Sequence, residues 1–320
     1  MRKEVYVEAK PGNVIRGKFD PNKTPIAEIC PGDVVTVETV STIGILEEFD
    51  QYMERYHLDE KDPVIQKMLA TEDLERIGED EHTLTGPIYI QGAMPGDMIE
   101  IKILETNLIT DFGNSKIVPG YGGVPDLVKK AESYRWEYDK ERMVATHDGY
   151  EIDIKPFFGI MAMTPDGGQV TSPPGRFGGN MDLRELTAGT TLYLPVEVEG
   201  GLFYVGDAHA AQGNGEVCLT AIETSLEGKF EFILHKKEEM TAPRAETETH
   251  YIAIGLDEDL NVAMHKAIEE SAKWIAELKK IDFYEALMLC STSVDYCVTQ
   301  VVDNVKGIHA MISKKTLKLA

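Results

Sequence analysis

Apolar and polar residues alternate along much of this chain, and outside a short insert the period lengthens to that of a helix near residue 259. Three alternating runs each follow a glycine-containing turn: "CPGDVVTVETV" at 30–40, "MPGDMIEIKILET" at 94–106 and "TAGTTLYLPVEV" at 187–198. The period of two, seen at Val35 and Val37 and again at Met98, Glu100 and Lys102, separates the two faces of a strand. The unit recurs at irregular intervals, which predicts β-sandwich or barrel layers rather than a solenoid. "RMVATHDGYEIDI" reads as a hairpin, with Asp148-Gly149 supplying the tight turn. From Asp259 to Lys280 the residues Leu260, Met264, Ala267, Ile268, Ile275 and Leu278 recur at three and four, the spacing of an amphipathic helix. A second helix is predicted to begin at "DFYEALMLC", where Asp282 and Glu285 match a capping box. The tail "YCVTQVVDNVKGIHAMI" then reads as a strand, a turn at Asp303-Asn304 and another strand. The predicted fold is mainly β with an α+β C-terminal part: jelly-roll-like sandwich layers, plus two C-terminal helices packed on a sheet. Residues 1–228 form a sandwich-rich region carrying the site, and 229–320 an α+β region packed against it.

Composition refines this picture in two places. An acidic insert at 47–81 holds 13 acidic and 4 basic residues, with Val64, Ile65, Met68 and Leu69 at helical spacing after Pro63. It predicts a short helix with a solvated face, a lid being the alternative. Over the 320 residues the formal net charge is -23, a field that repels phosphate backbones and anionic lipid, so neither nucleic acid nor a membrane is an expected partner. The start, "MRKEVYVEAKPG", lacks the apolar core of a signal peptide. The four cysteines contain no C-x-x-C pair, and Cys218 and Cys290 lie in apolar runs as expected of buried thiols. A reduced cytoplasm is the expected location.

The candidate chemistry gathers between Gly175 and Glu216. Asn180 with Asp182, and Asp207 with His209, stand at i and i+2, so locally extended segments would turn each pair to one side. Gln212 and Glu216 follow closely. The run "EVCLTAIET" puts Glu223 on the face of Val217, Leu219 and Ala221, an unexpected place for a carboxylate. Such a set suits a divalent ion, because zinc accepts histidine and carboxylate while calcium takes carboxylate and amide oxygens. Spacing alone leaves two readings open, a metal or catalytic centre and a group of well-capped turns. There is no G-x-S-x-G nucleophile elbow and no glycine loop with nucleotide-site spacing.

The phrases "CPGDVVTVET", "LTGPIYIQGAMPGD", "FGGNMDLRELTAGTTLYLPV", "GDAHAAQGNGE" and "VTQVVDNVKGIHAMI" run in order through the chain, which resembles the acetamidase/formamidase family over nearly its whole length. The resemblance implies an amidohydrolase that cleaves the linear C–N bond of small amides to ammonia and a carboxylate. It further implies a β-sandwich-rich fold and a homo-oligomer, with a dimer expected. The family's G-G-N-x-D falls on Gly178, Gly179, Asn180, Met181 and Asp182. Its G-D-x-H-x-x-x-G-x-G-E falls on Gly206, Asp207, His209, Gly213, Gly215 and Glu216, with Asn214 where many members have aspartate. The expected site then has Asn180, Asp182, His209 and Glu223 holding a divalent metal, zinc first and calcium second. Glu216 serves as general base, Asp207 acts with it or orients the shell, and Gly178 and Gly179 face the oxyanion. His82 and Gln212 line the substrate, and Gln300 and His309 are further candidates, with sheet surface as the other reading of His309. A catalytically silent ligand- or metal-binding protein on the same scaffold is the alternative function, favoured by Asn214.

Overall fold

The computed structural model describes residues 2–41, 49–72 and 82–318. Two large sheets form the body, one of nine strands and one of eleven. The glycine turns are what start the central strands. In C-P-G-D, Gly32 has a φ of 92°, and the Asp33 carboxylate accepts from the backbone N–H of Cys30 (2.9 Å) and of Lys3 (2.8 Å). M-P-G-D repeats the device: Gly96 has a φ of 91°, and Asp97 accepts from the Met94 N–H at 2.8 Å. Proline presets the first turn residue and glycine supplies the positive φ that the second requires. Val34–Glu38 and Met98–Leu108 emerge from these two turns and Thr191–Pro195 from a third at Gly189, whose φ is 89°, all in the nine-stranded sheet.

The sandwich closes because the alternating faces of the two sheets meet. Val35, Val37, Ile99, Ile101, Ile103, Leu192 and Leu194 from one sheet share a buried cluster with Phe158, Met161, Phe203 and Val205 of the other. Phe203 packs edge-on against Phe230 and Phe232, with ring centroids 5.9 and 5.0 Å apart. Aromatic contacts of this kind add to the area they bury. The boundary expected at 228/229 falls inside the strand Leu226–His235. That strand lies between Val34–Glu38 and Met98–Leu108 in the nine-stranded sheet.

The C-terminal elements follow their sequence signals. Helix Leu260–Lys279 is capped by Asp259, and Phe283–Ser293 by Asp282, whose carboxylate accepts from the N–H of Tyr284 and of Glu285. Trp274, Ile275, Ala286 and Cys290 pack with Ala310 and Ile312 of the strand Lys306–Ser313, which holds the helices on the sheet. The acidic insert contains two helices where one was expected, Phe49–Tyr56 and Pro63–Glu72. Ile65 and Met68 are buried against Val14, Val40 and Phe112, so the second helix is anchored to the body; 47–48 and 73–81 of the insert lie outside the described residues. All four cysteines are free, with Cys290 buried, Cys218 and Cys297 partly buried and Cys30 exposed. No described helix is long and apolar enough to cross a membrane.

Candidate active site

The site is built where two adjacent strands break their alternation together. Phe157–Met163 and Phe203–His209 run antiparallel, with Phe157 opposite His209, Phe158 opposite Ala208 and Ile160 opposite Gly206. Phe158 and Met161 both face the inter-sheet core, as do Val205 and Ala208, although each pair is three residues apart. A regular strand places residues three apart on opposite faces. The shift falls at Gly159 and Asp207, and Asp207 takes a φ of 50°. Left-handed backbone at an aspartate costs on the order of 1–3 kcal/mol and persists only where its surroundings hold it. Asp182 and Glu216 adopt it too, at φ of 48° and 44°. Three bent acidic residues therefore meet around one imidazole.

His209 is the centre of that meeting. Its Nε2 lies 3.2 Å from Glu223 Oε1, 3.4 Å from Asp207 Oδ2 and 4.0 Å from Glu216 Oε1, while Nδ1 lies 3.8 Å from Asp182 Oδ1. Gln212 orients the ring: its Oε1 is 3.0 Å from Nδ1, and its Nε2 donates to the Asp182 carbonyl at 2.8 Å. With the amide so assigned, Nδ1 carries the proton and Nε2 faces the carboxylates. Phe157 packs edge-on against the ring at 5.1 Å.

Gly159 makes room for all of this. A Cβ there would stand 2.3 Å from Asp182 Oδ1, 2.6 Å from Asp207 Oδ2 and 3.0 Å from His209 Cε1. Its carbonyl accepts from the N–H groups of both Met181 and Asp182, which aims the Asp182 side chain back over it.

A fifth carboxylate, Asp303, comes from the C-terminal hairpin. Val294–Val298 and Lys306–Ser313 pair as expected, and the turn between them carries Asn304 at a φ of 62°. Gln300 holds this turn, accepting at Oε1 from the N–H of Val302 and of Asp303 and donating to the Val305 carbonyl. Gly215 bridges to it through Gly215 N–H to the Thr299 carbonyl and Val301 N–H to the Gly215 carbonyl. Asp303 is thereby set beside Asp182 and Glu216, close enough that each feels the other's charge.

Five carboxyl groups around one ring cannot all ionise freely. Burial, followed by the charge of a neighbouring acid, holds Glu216 and Asp303 well above the ordinary carboxylate range, Asp182 acting on both. Asp182 is raised by burial and then by Asp207. Burial raises Glu223 as well, with His209 opposing. Asp207 goes the other way: burial disfavours its charge, but His209 outweighs burial and pulls it below its usual value. Burial would neutralise His209, yet the charges of Glu223 and Asp207 hold it well above the ordinary histidine value. Desolvation against opposite charge decides each case.

Two groups in this cluster could hold a divalent cation: Asp182, His209 and Glu216, and Asp207, His209 and Glu223, each with its ligand atoms within 4.8 Å of one another. Four buried oxygens, on Asn180 (Oδ1), Asp182 (Oδ1), Glu216 (Oε2) and Asp303 (Oδ2), have no hydrogen-bond partner among the described residues. Buried oxygens without donors are expensive unless a cation or proton meets them, so the donor set fits a hard or borderline divalent ion.

The structure brings Asp182, Asp207, His209, Gln212, Glu216 and Glu223 together as the sequence led us to expect. Asn180 lies opposite Ile160 in the strand Gly178–Asn180, with its buried Oδ1 unpaired among the described residues. His82 is half-buried, bonded to Thr171 Oγ1 at 3.0 Å, and its charge helps depress Asp207. Gly178 and Gly179 are corrected. The Gly178 N–H donates to the Gly175 carbonyl at 3.0 Å, and a Cβ on either residue would strike Met161 and Leu194 or Phe177 rather than the acids. Their φ values of 90° and 87° serve the turn. "EVCLTAIET" is not one strand: Val217 and Cys218 form a turn, Val217 is 64% exposed, and only Glu223–Thr224 is extended. Gln300 and His309 are fully buried, so the sheet-surface reading of His309 is corrected too. Asn214 is exposed on a cavity wall, apart from the buried acids. Gly159 and Asp303 were not anticipated.

A two-sheet β-sandwich with a buried histidine amid carboxylates defines the class. The chain belongs to the acetamidase/formamidase family, whose family model matches residues 9–167 and 166–313. It is similar to an acetamidase of Mycolicibacterium smegmatis, 28% identical over 198 residues that make up 42% of this chain and 49% of that protein. It is also similar to a formamidase of Methylophilus methylotrophus, 24% identical over 262 residues, 63% of this chain and 59% of that protein. The chain thus spans about half the length of the curated relatives it matches. Among solved structures, the acetamidase of Bacillus halodurans superposes with a TM-score of 0.83 at 26% identity, with 98% of each chain covered.

Proposed function

We propose that this chain hydrolyses the C–N bond of carboxylic amides, releasing ammonia and a carboxylate, at the cluster around His209. The observation that carries the reading is the convergence of Asp182, Asp207, Glu216, Glu223 and Asp303 on one buried imidazole. A structural site needs no such surplus of carboxylate. Asp182, His209 and Glu216, or His209 with Asp207 and Glu223, would hold a divalent cation, zinc by its histidine–carboxylate set. When bound, such a cation supplies Lewis acidity, offsetting the carboxylate charge and acidifying water toward a pKa of about 7.

The protein's own groups do the rest. Glu216, raised by burial and by Asp182, takes a proton from the attacking water at Oε2. It returns that proton to the amide nitrogen as the C–N bond breaks, so nitrogen leaves as ammonia and the water oxygen stays on the acyl carbon. A carboxylate tuned upward is suited to both transfers near neutral pH. Gln212 fixes which ring nitrogen of His209 faces the acids, and Asp207 and Glu223 keep that ring in place. The same reading includes a homodimer acting in the cytoplasm, the assembly being measured by light scattering.

The test is to determine bound metal and follow ammonia release from formamide and acetamide before and after chelation. Release that is lost with chelator and restored by zinc supports the proposal. Full release from metal-free protein removes the cation but keeps the amidase. Bound metal with no release from any amide favours a binding protein, which Asn214 on the cavity wall would suit.

A further inference from the structure

Next to the acid cluster lies a cavity of about 890 Å³ that has Glu216 and Gln212 in its wall. Trp136, Ala211, Ala221 and Ile222, all buried in the fold, form one apolar stretch of the cavity wall, while Asp153, Lys155, Arg184, Glu185 and His250 line other parts of it. Trp136, Ala211 and Ile222 belong to one packed cluster, which gives that surface a fixed shape. The indole Nε1 donates to Ser115 Oγ at 2.9 Å, so the one polar atom of the tryptophan is already satisfied and the ring offers only apolar contact. Ile152 and Val217, 39% and 64% exposed, stand in the same wall at the mouth.

The size of this cavity exceeds what the smallest amides fill. With a water-sized piece of liquid occupying about 30 Å³, acetamide fills on the order of a tenth of this space. Cavities of roughly 300–1,000 Å³ with mainly apolar walls and a few polar groups are the ones that enclose larger ligands.

We propose that the preferred substrate is a linear amide with a large apolar acyl arm, aliphatic or aromatic and on the order of six or more carbons. The arm lies against Trp136, Ala211, Ala221 and Ile222, and the amide reaches Glu216. The inference rests on the amide-hydrolase reading and adds the substrate class. Binding energy from the arm orients the carbonyl over the cluster, which raises turnover as well as affinity. Trp136 and Ala221 act as specificity determinants and take no part in the chemistry.

The test compares kcat/KM for ammonia release from formamide, acetamide, hexanamide and phenylacetamide, using the metal-loaded full chain. Hexanamide and phenylacetamide should exceed acetamide by on the order of tenfold or more. Ala221→Leu, which fills the apolar wall, should reduce the two larger amides at least about tenfold and leave acetamide within about threefold. Because Ala221 is buried, Ile152→Trp at the exposed mouth gives the same comparison without loading the core, and it should also lower the larger amides selectively. Acetamide turned over as well as or better than the larger amides overturns the inference and leaves the amidase standing. Equal losses on all substrates in both variants overturn it as well. No ammonia from any amide, small or large, removes the amidase reading and this inference with it.

Discussion

Replacing Gly159 by alanine adds one methyl group to the floor of the acid cluster. The φ of Gly159 lies outside the left-handed region, so alanine brings no backbone strain, and the effect comes from space alone. The new Cβ would stand 2.3 Å from Asp182 Oδ1 and 2.6 Å from Asp207 Oδ2, where carbon and oxygen ordinarily keep about 3.3–3.6 Å. Asp182 must therefore retreat by about 1 Å. It has little freedom to do so, because it is buried and its own N–H is bonded to the Gly159 carbonyl. Misplacement by about 1 Å in a catalytic array costs on the order of 10²-fold in rate, while one extra methyl group in a packed interior costs about 1–3 kcal/mol of stability. Gly159→Ala should thus lower kcat/KM for ammonia release about a hundredfold with only a modest drop in Tm. Activity within about threefold of the parent, at unchanged Tm, would refute the claim that Gly159 is the floor of the site.

Three further outcomes are expected. Glu216→Gln keeps the side chain's size and removes its proton chemistry, so kcat should fall by on the order of 10²–10⁴-fold while metal content, measured in parallel, shows whether ligation fell as well. Asp303→Asn should lower activity about 10–100-fold and leave Tm unchanged or higher, because burial and the Asp182 charge oppose this carboxylate; a drop in Tm with full activity would make 301–305 a purely structural turn. Asp33 is held below its usual pKa by the N–H groups of Cys30 and Lys3, and at Asp97 burial is outweighed by Lys236 and the N–H groups of Lys237 and Met94. A depressed carboxylate stabilises above its ordinary value of about 3.9 and loses that contribution as pH falls through the folded value. Tm should therefore fall below about pH 4, and Asp33→Asn with Asp97→Asn should lower Tm at pH 7 and flatten that acid limb, as followed by thermal melts across pH.

The parts of this molecule that are written locally could be read from its sequence. C-P-G-D and M-P-G-D announce their turns because proline, glycine and a capping aspartate act within four residues. The helix starts at Asp259 and Asp282 are local for the same reason. Asp182, Asp207, His209 and Glu216 stand out as polar residues among glycines, and glycine marks the bends that aim them. Glu223 joins the cluster without sharing a strand face with Val217 and Leu219, since the stretch before it turns at Val217 and Cys218. Two residues carried no local mark. Gly159 sits in the apolar run "FFGIMAM", and it matters for the side chain it lacks. Asp303 reads as an ordinary turn aspartate beside Asn304, and only the long-range pairing of Gly215 with Gln300 shows that this turn reaches the cluster.

The bridge between Gly215 and Gln300 also ties the acid cluster to the end of the chain. Strand Lys306–Ser313 must emerge and pair before Gln300 can hold Asp303 in position, so a nascent chain carrying every earlier acid still lacks a finished centre. Contacts this distant in sequence form slowly. A chain cut ahead of Lys306 would keep Asp182, Asp207, His209 and Glu216 but lose the pairing and the Gln300–Val305 bond that hold Asp303 beside them.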